Sequence, residues 1–304
     1  MRRFFLTLLP ALLLATVARA QPAALGDIQV TSDAGHFDAL RLRSGGLFGY
    51  RSPYQYTGVV VQNTHYDQSG WQRDAPAVLA LWRNQRPDTL AGTIGEVGLV
   101  RVAGRTRVIG DATWSLRPAP HTGIELLASS DLVETQAALD RGTASTFAGA
   151  SVEQQWGERF TAIGLAGYQH FTDGNARVHL RGRLIWLAIP KQGISAQLRV
   201  RRYDSKESDI GGAYFNPDRY DEWQAAVAMR RRYANWIWSG TLAAGREEID
   251  GVQQTTKLVE LRAEGSLWKD VHIVVHGSYN RSAGFNGIDG YWYRALGLSV
   301  IVPF

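Results

Sequence analysis

From His36 to Phe304 the chain alternates apolar and polar residues in run after run. In 175–187, Val178, Leu180, Leu184 and Trp186 share one parity, and Arg177, His179, Arg181 and Arg183 share the other. In 191–203, Ile194, Ala196, Leu198 and Val200 oppose Ser195, Gln197, Arg199 and Arg201. In 255–267, Val259, Leu261, Ala263 and Leu267 oppose Glu260, Arg262, Glu264 and Ser266, and 104–116 and 270–281 read the same way. A period of two is that of a strand with unlike faces; a helical period would mix the sets. Soluble antiparallel sheets also alternate, but their strands usually run about 5–6 residues. The runs here are about twice that, the length that crosses a bilayer on a slant.

The pattern predicts sixteen strands, within a range of fourteen to eighteen: 36–44, 56–66, 76–84, 90–102, 104–116, 121–129, 132–139, 144–155, 158–171, 175–187, 191–203, 219–232, 234–246, 255–267, 270–281 and 290–304. Between 117 and 140 one bent strand or a short helix competes with two strands. Counted back from the last strand, long connections (282–289, 247–254, 204–218) alternate with short ones (268–269, 233, 188–190), as extracellular loops alternate with periplasmic turns. The tight connection at 172–175 breaks that alternation. The fold class expected is all-β, a single transmembrane antiparallel up-and-down barrel over 36–304. It is preceded by 21–35, which reads as a short periplasmic lead-in or, through a weak strand candidate at Ile28–Thr31, as a partial first strand.

Residues 1–20 read as a cleaved export signal, with Arg2 and Arg3, an apolar core over 4–16 and Ala18-Arg19-Ala20 as the cleavage site. No later stretch is long and apolar enough for a membrane helix. Cysteine is absent, which removes disulfides, thiolate metal sites and a lipid-anchored cysteine. Ten Trp, twelve Tyr and ten Phe suit interfacial girdles. The pI near 9.5 invites a nucleic-acid partner, but the export signal argues against one. With no HxH or HExxH spacing, neither metal nor cofactor is expected.

The last strand places Leu296, Leu298, Val300, Val302 and Phe304 on one face. It resembles the assembly signal by which bacterial outer-membrane barrels are handed to their insertion machinery. The polar faces place Arg177, His179, Arg181, Arg183, Arg199, Arg201, Glu222, Glu260, Arg262 and Glu264 toward the lumen, joined by Arg105, Arg107, Asp111 and Arg230. Adjacent strands 175–187 and 191–203 then form an arginine-rich wall. It serves either as a salt-bridge lattice or as an electropositive path for an anionic cargo. Sixteen strands enclose an aqueous channel where eight would be filled. No His-Ser pair with a carboxylate lies on an apolar face, so no enzyme is expected.

Residues 171–224 carry Asp173-Gly174-Asn175 with Arg177, then R-x-R-x-Y-D at 199–204, then Gly211, Gly212, Tyr214, Phe215, Asn216 and Pro217 in GGAYFNPDRY. This run resembles the carboxyl-terminal barrels of bacterial exopolysaccharide-secretion porins of the cellulose and poly-N-acetylglucosamine type. The resemblance covers about fifty residues, and the rest of the chain shares architecture only. It implies an outer-membrane channel that passes polysaccharide. Those exporters carry periplasmic tetratricopeptide repeats, and no such repeat occurs here, so a separate periplasmic repeat protein is the expected partner. In the loop, the glycines permit a turn, Tyr214 and Phe215 anchor it, and Asn216-Pro217 fixes the return. It either packs on its own rim or stacks sugar rings. The rival readings are a plugged structural barrel and a rim-located lipid-modifying enzyme.

Overall fold

A computed structural model of the chain describes residues 21–207, 209–268, 270–282 and 291–304. The export signal lies outside the described residues. Sixteen strands form a closed antiparallel barrel in which each pairs with its sequence neighbours and the first pairs with the last. They are β1 (Gln21–Asp33), β2 (Asp38–Tyr50), β3 (Gln55–Gln68), β4 (Trp71–Gln85), β5 (Gly92–Val102), β6 (Arg105–Ala119), β7 (Thr122–Leu132) and β8 (Ala144–Trp156). The second half comprises β9 (Phe160–Phe171), β10 (Ala176–Ile189), β11 (Ile194–Ser205), β12 (Arg219–Tyr233), β13 (Trp236–Ile249), β14 (Val252–Leu267), β15 (Val271–Arg281) and β16 (Trp292–Pro303). One helix, α1 (Gln136–Arg141), interrupts the series between β7 and β8.

The count of sixteen agrees with the sequence reading, but two of its members do not. The segment 21–35 is no lead-in. It forms β1, whose Ile28 pairs Leu298 and whose Val30 pairs Leu296. Ala23, Ala24, Leu25 and Gly26 are too small or too weakly alternating to advertise a strand, and the long partner supplies what propensity lacks. Conversely, 132–139 is not a strand. Thr135 caps α1 by accepting from the Ala138 N–H, and Gly142 closes it at φ 60° in the left-handed region. The 247–254 loop is also absent. β13 and β14 meet in a two-residue turn, Asp250-Gly251, with φ 48° and 86°, the mirror-image turn that matches strand twist.

The outer surface fits a bilayer. Aliphatic residues such as Leu180, Leu184, Leu198, Val200, Leu242 and Leu261 point outward at mid-height. Trp114, Trp156, Phe160, Trp186, Tyr233 and Trp238 ring the end where β1 begins, and Tyr168, Trp223, Tyr279 and Tyr293 ring the far end. Such belts place amphipathic rings at the two headgroup levels. Connections at the end where β1 begins span at most six residues, whereas the longer 133–143 and 206–218 lie at the far end.

The interior is not uniformly wet. Inward residues of the first six strands, including Leu47, Val60, Leu79, Val100 and Ile109, form one buried apolar cluster that also takes in Leu139 of α1. The expectation of a fully aqueous lumen therefore fails over the first six strands. The arginine-rich wall sits on the other flank, while Asp27, Arg43, Glu96 and Asp111 line a cavity beside the apolar cluster.

Candidate functional site

The register of β10 and β11 sets Arg181 opposite Arg201 and Arg183 opposite Arg199. Like charges in direct register repel, so β12 and β14 bring acids to them. The Arg201 guanidinium lies 3.1 Å from Glu222, and Arg199 lies 3.8 Å from Glu260. Gln224 and Thr256 also donate to the Glu222 carboxylate, at 2.9 and 3.1 Å. Arg181 and Arg183 have no ion-pair partner among the described residues. All four arginines, with Glu125, Glu222 and Glu260, line one cavity of about 530 Å³. The wall is thus a lattice with a basic remainder.

Arg262 and Glu264 bond each other at 3.1 Å, and His272 approaches Glu264 at 3.4 Å. They line a second cavity of about 290 Å³ with Asp27, Asp111 and the Arg43–Glu96 pair. At the end where β1 begins, a vestibule of about 940 Å³ is bordered by Tyr54, Asp88, Arg117, His121, Arg230 and Arg232. Arg105 and Arg107 do not face open lumen. They donate to the carbonyls of Arg141 and Gly142, at 2.8 Å in the second case, and so hold the end of α1.

The far mouth is crossed by two segments that hold one another. Glu134, just before α1, accepts from Arg41 of β2 at 2.9 Å and from the Tyr66 hydroxyl of β3 at 3.1 Å. Asp140 accepts from Trp71 at 3.1 Å and from Arg73. On its other side, Thr135 donates to the Ala213 carbonyl at 2.5 Å and Arg141 to the Ile210 carbonyl at 3.2 Å, both in the 206–218 loop. Burial raises the Glu134 carboxyl above its usual range, with Arg41 opposing that shift.

The loop is anchored as firmly. Tyr214 stacks on Phe171, centroids 4.6 Å apart at 10°, and its hydroxyl accepts from Asn175 at 3.2 Å. Burial pushes the Tyr214 phenol up to about 12, so it stays neutral across the physiological range. Asn216 accepts from Asn175 at 2.7 Å and donates to the Glu207 carbonyl at 2.5 Å. The Arg177 guanidinium reaches the Phe215 carbonyl and lies between the Phe171 and Tyr203 rings, 4.8 and 5.2 Å from their centroids. Tyr203 in turn stacks on Tyr220 at 4.7 Å, beneath Arg201. Gly211 and Gly212, at φ 62° and 64°, make the turn, and Pro217 precedes β12. His179 bonds Gln169 at 3.0 Å and packs on Tyr203. Tyr214 and Tyr220 are buried, their faces occupied by protein rings.

Three parts of this site went unseen in the sequence: the contacts of Glu134 and Asp140 around α1, the Tyr203–Tyr220 stack, and the second cavity as a unit, although a short helix had been one reading of 117–140. The helix was legible in Thr135 and Gly142 as caps around Gln-Ala-Ala-Leu-Asp-Arg. Cross-strand partners had no sequence signal. Among the described residues no three metal-ligating side chains cluster. One His–carboxylate pair faces lipid, His65 with Asp74 at 3.0 Å. Its register partners are Leu40 and Asp74, neither of them a nucleophile.

The closed sheet, outward aliphatic band and polar flank inside define the class, a transmembrane β-barrel of the outer-membrane type. Among solved structures, the chain is similar to a bacterial polysaccharide outer membrane secretin, at TM-score 0.67 and 13% identity, over 93% of this chain and 98% of that one. It also aligns with the outer membrane protein OprD from Pseudomonas aeruginosa, at TM-score 0.46 and 10% identity, over 94% of each. No family model matches the chain, and no curated protein matches it.

Proposed function

We propose that the chain is a passive, capped conduit of the outer membrane that serves polysaccharide export. The observation that carries this reading is the division of the interior. One flank is charge-lined and cavity-bearing, and the far mouth above it is spanned by α1 and the 206–218 loop rather than filled by strand side chains. The likeness to the polysaccharide secretin and the 171–224 run support it. The short connections belong on the periplasmic side and the long ones outside. Leu296 to Phe304 would present the assembly machinery with its signal, and a separate periplasmic protein would deliver the polymer.

The test is planar-bilayer conductance of the mature chain beside a Glu134→Ala/Asp140→Ala variant. The wild type should pass a small current and the variant a several-fold larger one. A folded variant as silent as the wild type would replace the conduit with the plugged structural barrel, a reading that the apolar flank favours.

A further inference from the structure

The cations inside the barrel are not spread evenly along its axis. At the mouth where β1 begins, Arg230 and Arg232 point into the vestibule from β12 and have no carboxylate partner among the described residues. Arg159 and Lys191 stand in the neighbouring turns, with Glu158 beside the first, and Asp88 and the Arg117-paired Glu153 are the vestibule's acids. Farther in on the same flank come Arg183 and Arg199, then Arg181 and Arg201. Arg230 lies level with Gly193, to whose carbonyl its N–H donates, so the two stations are roughly 20 Å apart along the strands. On this same flank the far connections have the opposite sign. In the 172–175, 206–218 and 250–251 connections, Lys206 stands against Asp173, Glu207, Asp209, Asp218 and Asp250.

We infer that the polymer taken by this conduit is an acidic polysaccharide, loaded from the mouth bearing Arg230 and Arg232. The inference rests on the conduit reading and names its cargo. A low-dielectric channel focuses the field of unpaired guanidinium groups on a polyanion. Guanidinium also matches carboxylate, sulfate or phosphate by paired hydrogen bonds. A neutral glucan needs no such wall, and stacking surfaces would suit it better, whereas Tyr214 and Tyr220 have theirs covered. The acidic far loops repel the chain once it has left, so the charge gradient disfavours return.

The experiment uses the mature chain in planar bilayers with two probes of about ten sugars each, oligogalacturonate and maltodextrin. The sequence has no cysteine, so a Lys206→Cys label reports which side faces which chamber. The current should be anion-selective. Oligogalacturonate should block at about ten-fold lower concentration than maltodextrin, and at lower concentration from the side opposite the label. Arg181→Ser/Arg183→Ser and Arg230→Ser/Arg232→Ser should each shrink that preference while keeping the heat-modifiable gel shift of a folded barrel. Equal block by both probes, or a cation-selective current, overturns the acidic cargo and leaves the conduit standing. A folded protein that stays silent even with Glu134 and Asp140 replaced removes the conduit, and the cargo with it.

Discussion

Asn175 and Asn216, 41 residues apart, meet side chain to side chain at 2.7 Å. One ends the Asp-Gly-Asn hairpin and the other sits in the Tyr-Phe-Asn-Pro loop, so the two motifs of the 171–224 run are halves of one joint. Asn175 is 1% exposed. Its amide nitrogen donates to Asn216 and Tyr214, and its amide oxygen accepts from the Ala176 and Glu207 N–H groups at 2.7 and 3.1 Å. Asn175→Ala leaves those groups unpaired, at about 1–3 kcal/mol for each that water cannot reach. The 206–218 loop should then be cut by protease in a barrel that is otherwise folded. An uncut loop would show that Tyr214 on Phe171 suffices as the anchor.

The α1 cap should respond to pH through Glu134. Its pKa is raised in the folded protein, so folding favours the protonated form. The added stability is complete below the ordinary carboxylate pKa and is lost as pH rises through the raised one. Glu134→Gln keeps an acceptor for Arg41 and Tyr66 without the charge. Hydrogen exchange across 134–142 should slow on acidification in the wild type, beyond its intrinsic rate, and this excess should vanish in the variant. Identical profiles would assign the cap's pH response elsewhere.

Glu222 should matter more for stability than its single arginine partner implies. Glu222→Gln leaves Arg201 facing Arg181 with the nearest opposing charge gone. We expect the unfolding temperature in detergent, read from the gel shift, to fall, for a loss of about 1.5–3 kcal/mol. Adding Arg181→Ser should recover part of it, because the repulsion goes with the charge. Strict additivity of the two changes would mean that the arginines do not feel each other.

Two glycines give a packing test. A Cβ on Gly245 would sit 1.9 Å from the Trp223 carbonyl oxygen of β12, whereas one on Gly164 would meet nothing within 4 Å. Gly245→Ala must therefore separate β12 from β13 and lower refolding yield. Gly164→Ala should refold as the wild type does. Equal yields would mean that the strand pair gives way at little cost.

Much of the barrel was legible because lipid imposes a strict rule on one face. Val178, Leu180, Leu184 and Trp186 had to be apolar, and so the wall behind them, Arg177 to Arg183, could be assigned by parity. Nothing comparable constrains an inward face, which is polar beside Arg199 and apolar beside Leu79. The sequence therefore did not reveal that half the interior is packed. The Glu134–Arg41 contact joins elements ninety-three residues apart, and no local pattern encodes such a partner. β1 was legible only at Ile28–Thr31, for a different reason: Ala23 to Gly26 owe their conformation to β16, not to themselves.

The seam between β1 and β16 has a consequence for how the protein is made. The strand that emerges first has its partner in the one that emerges last, with Ala24 against Val302 and Ile28 against Leu298. No shorter length of the strand series can close the cylinder, so any sheet formed before both ends are present exposes two raw edges. The cylinder can form only once both ends of the strand series are present together. Loss of residues 21–33 would then act as a defect of assembly. The truncated chain should fail to give the heat-modifiable gel shift of a closed barrel, whereas the full strand series should give it.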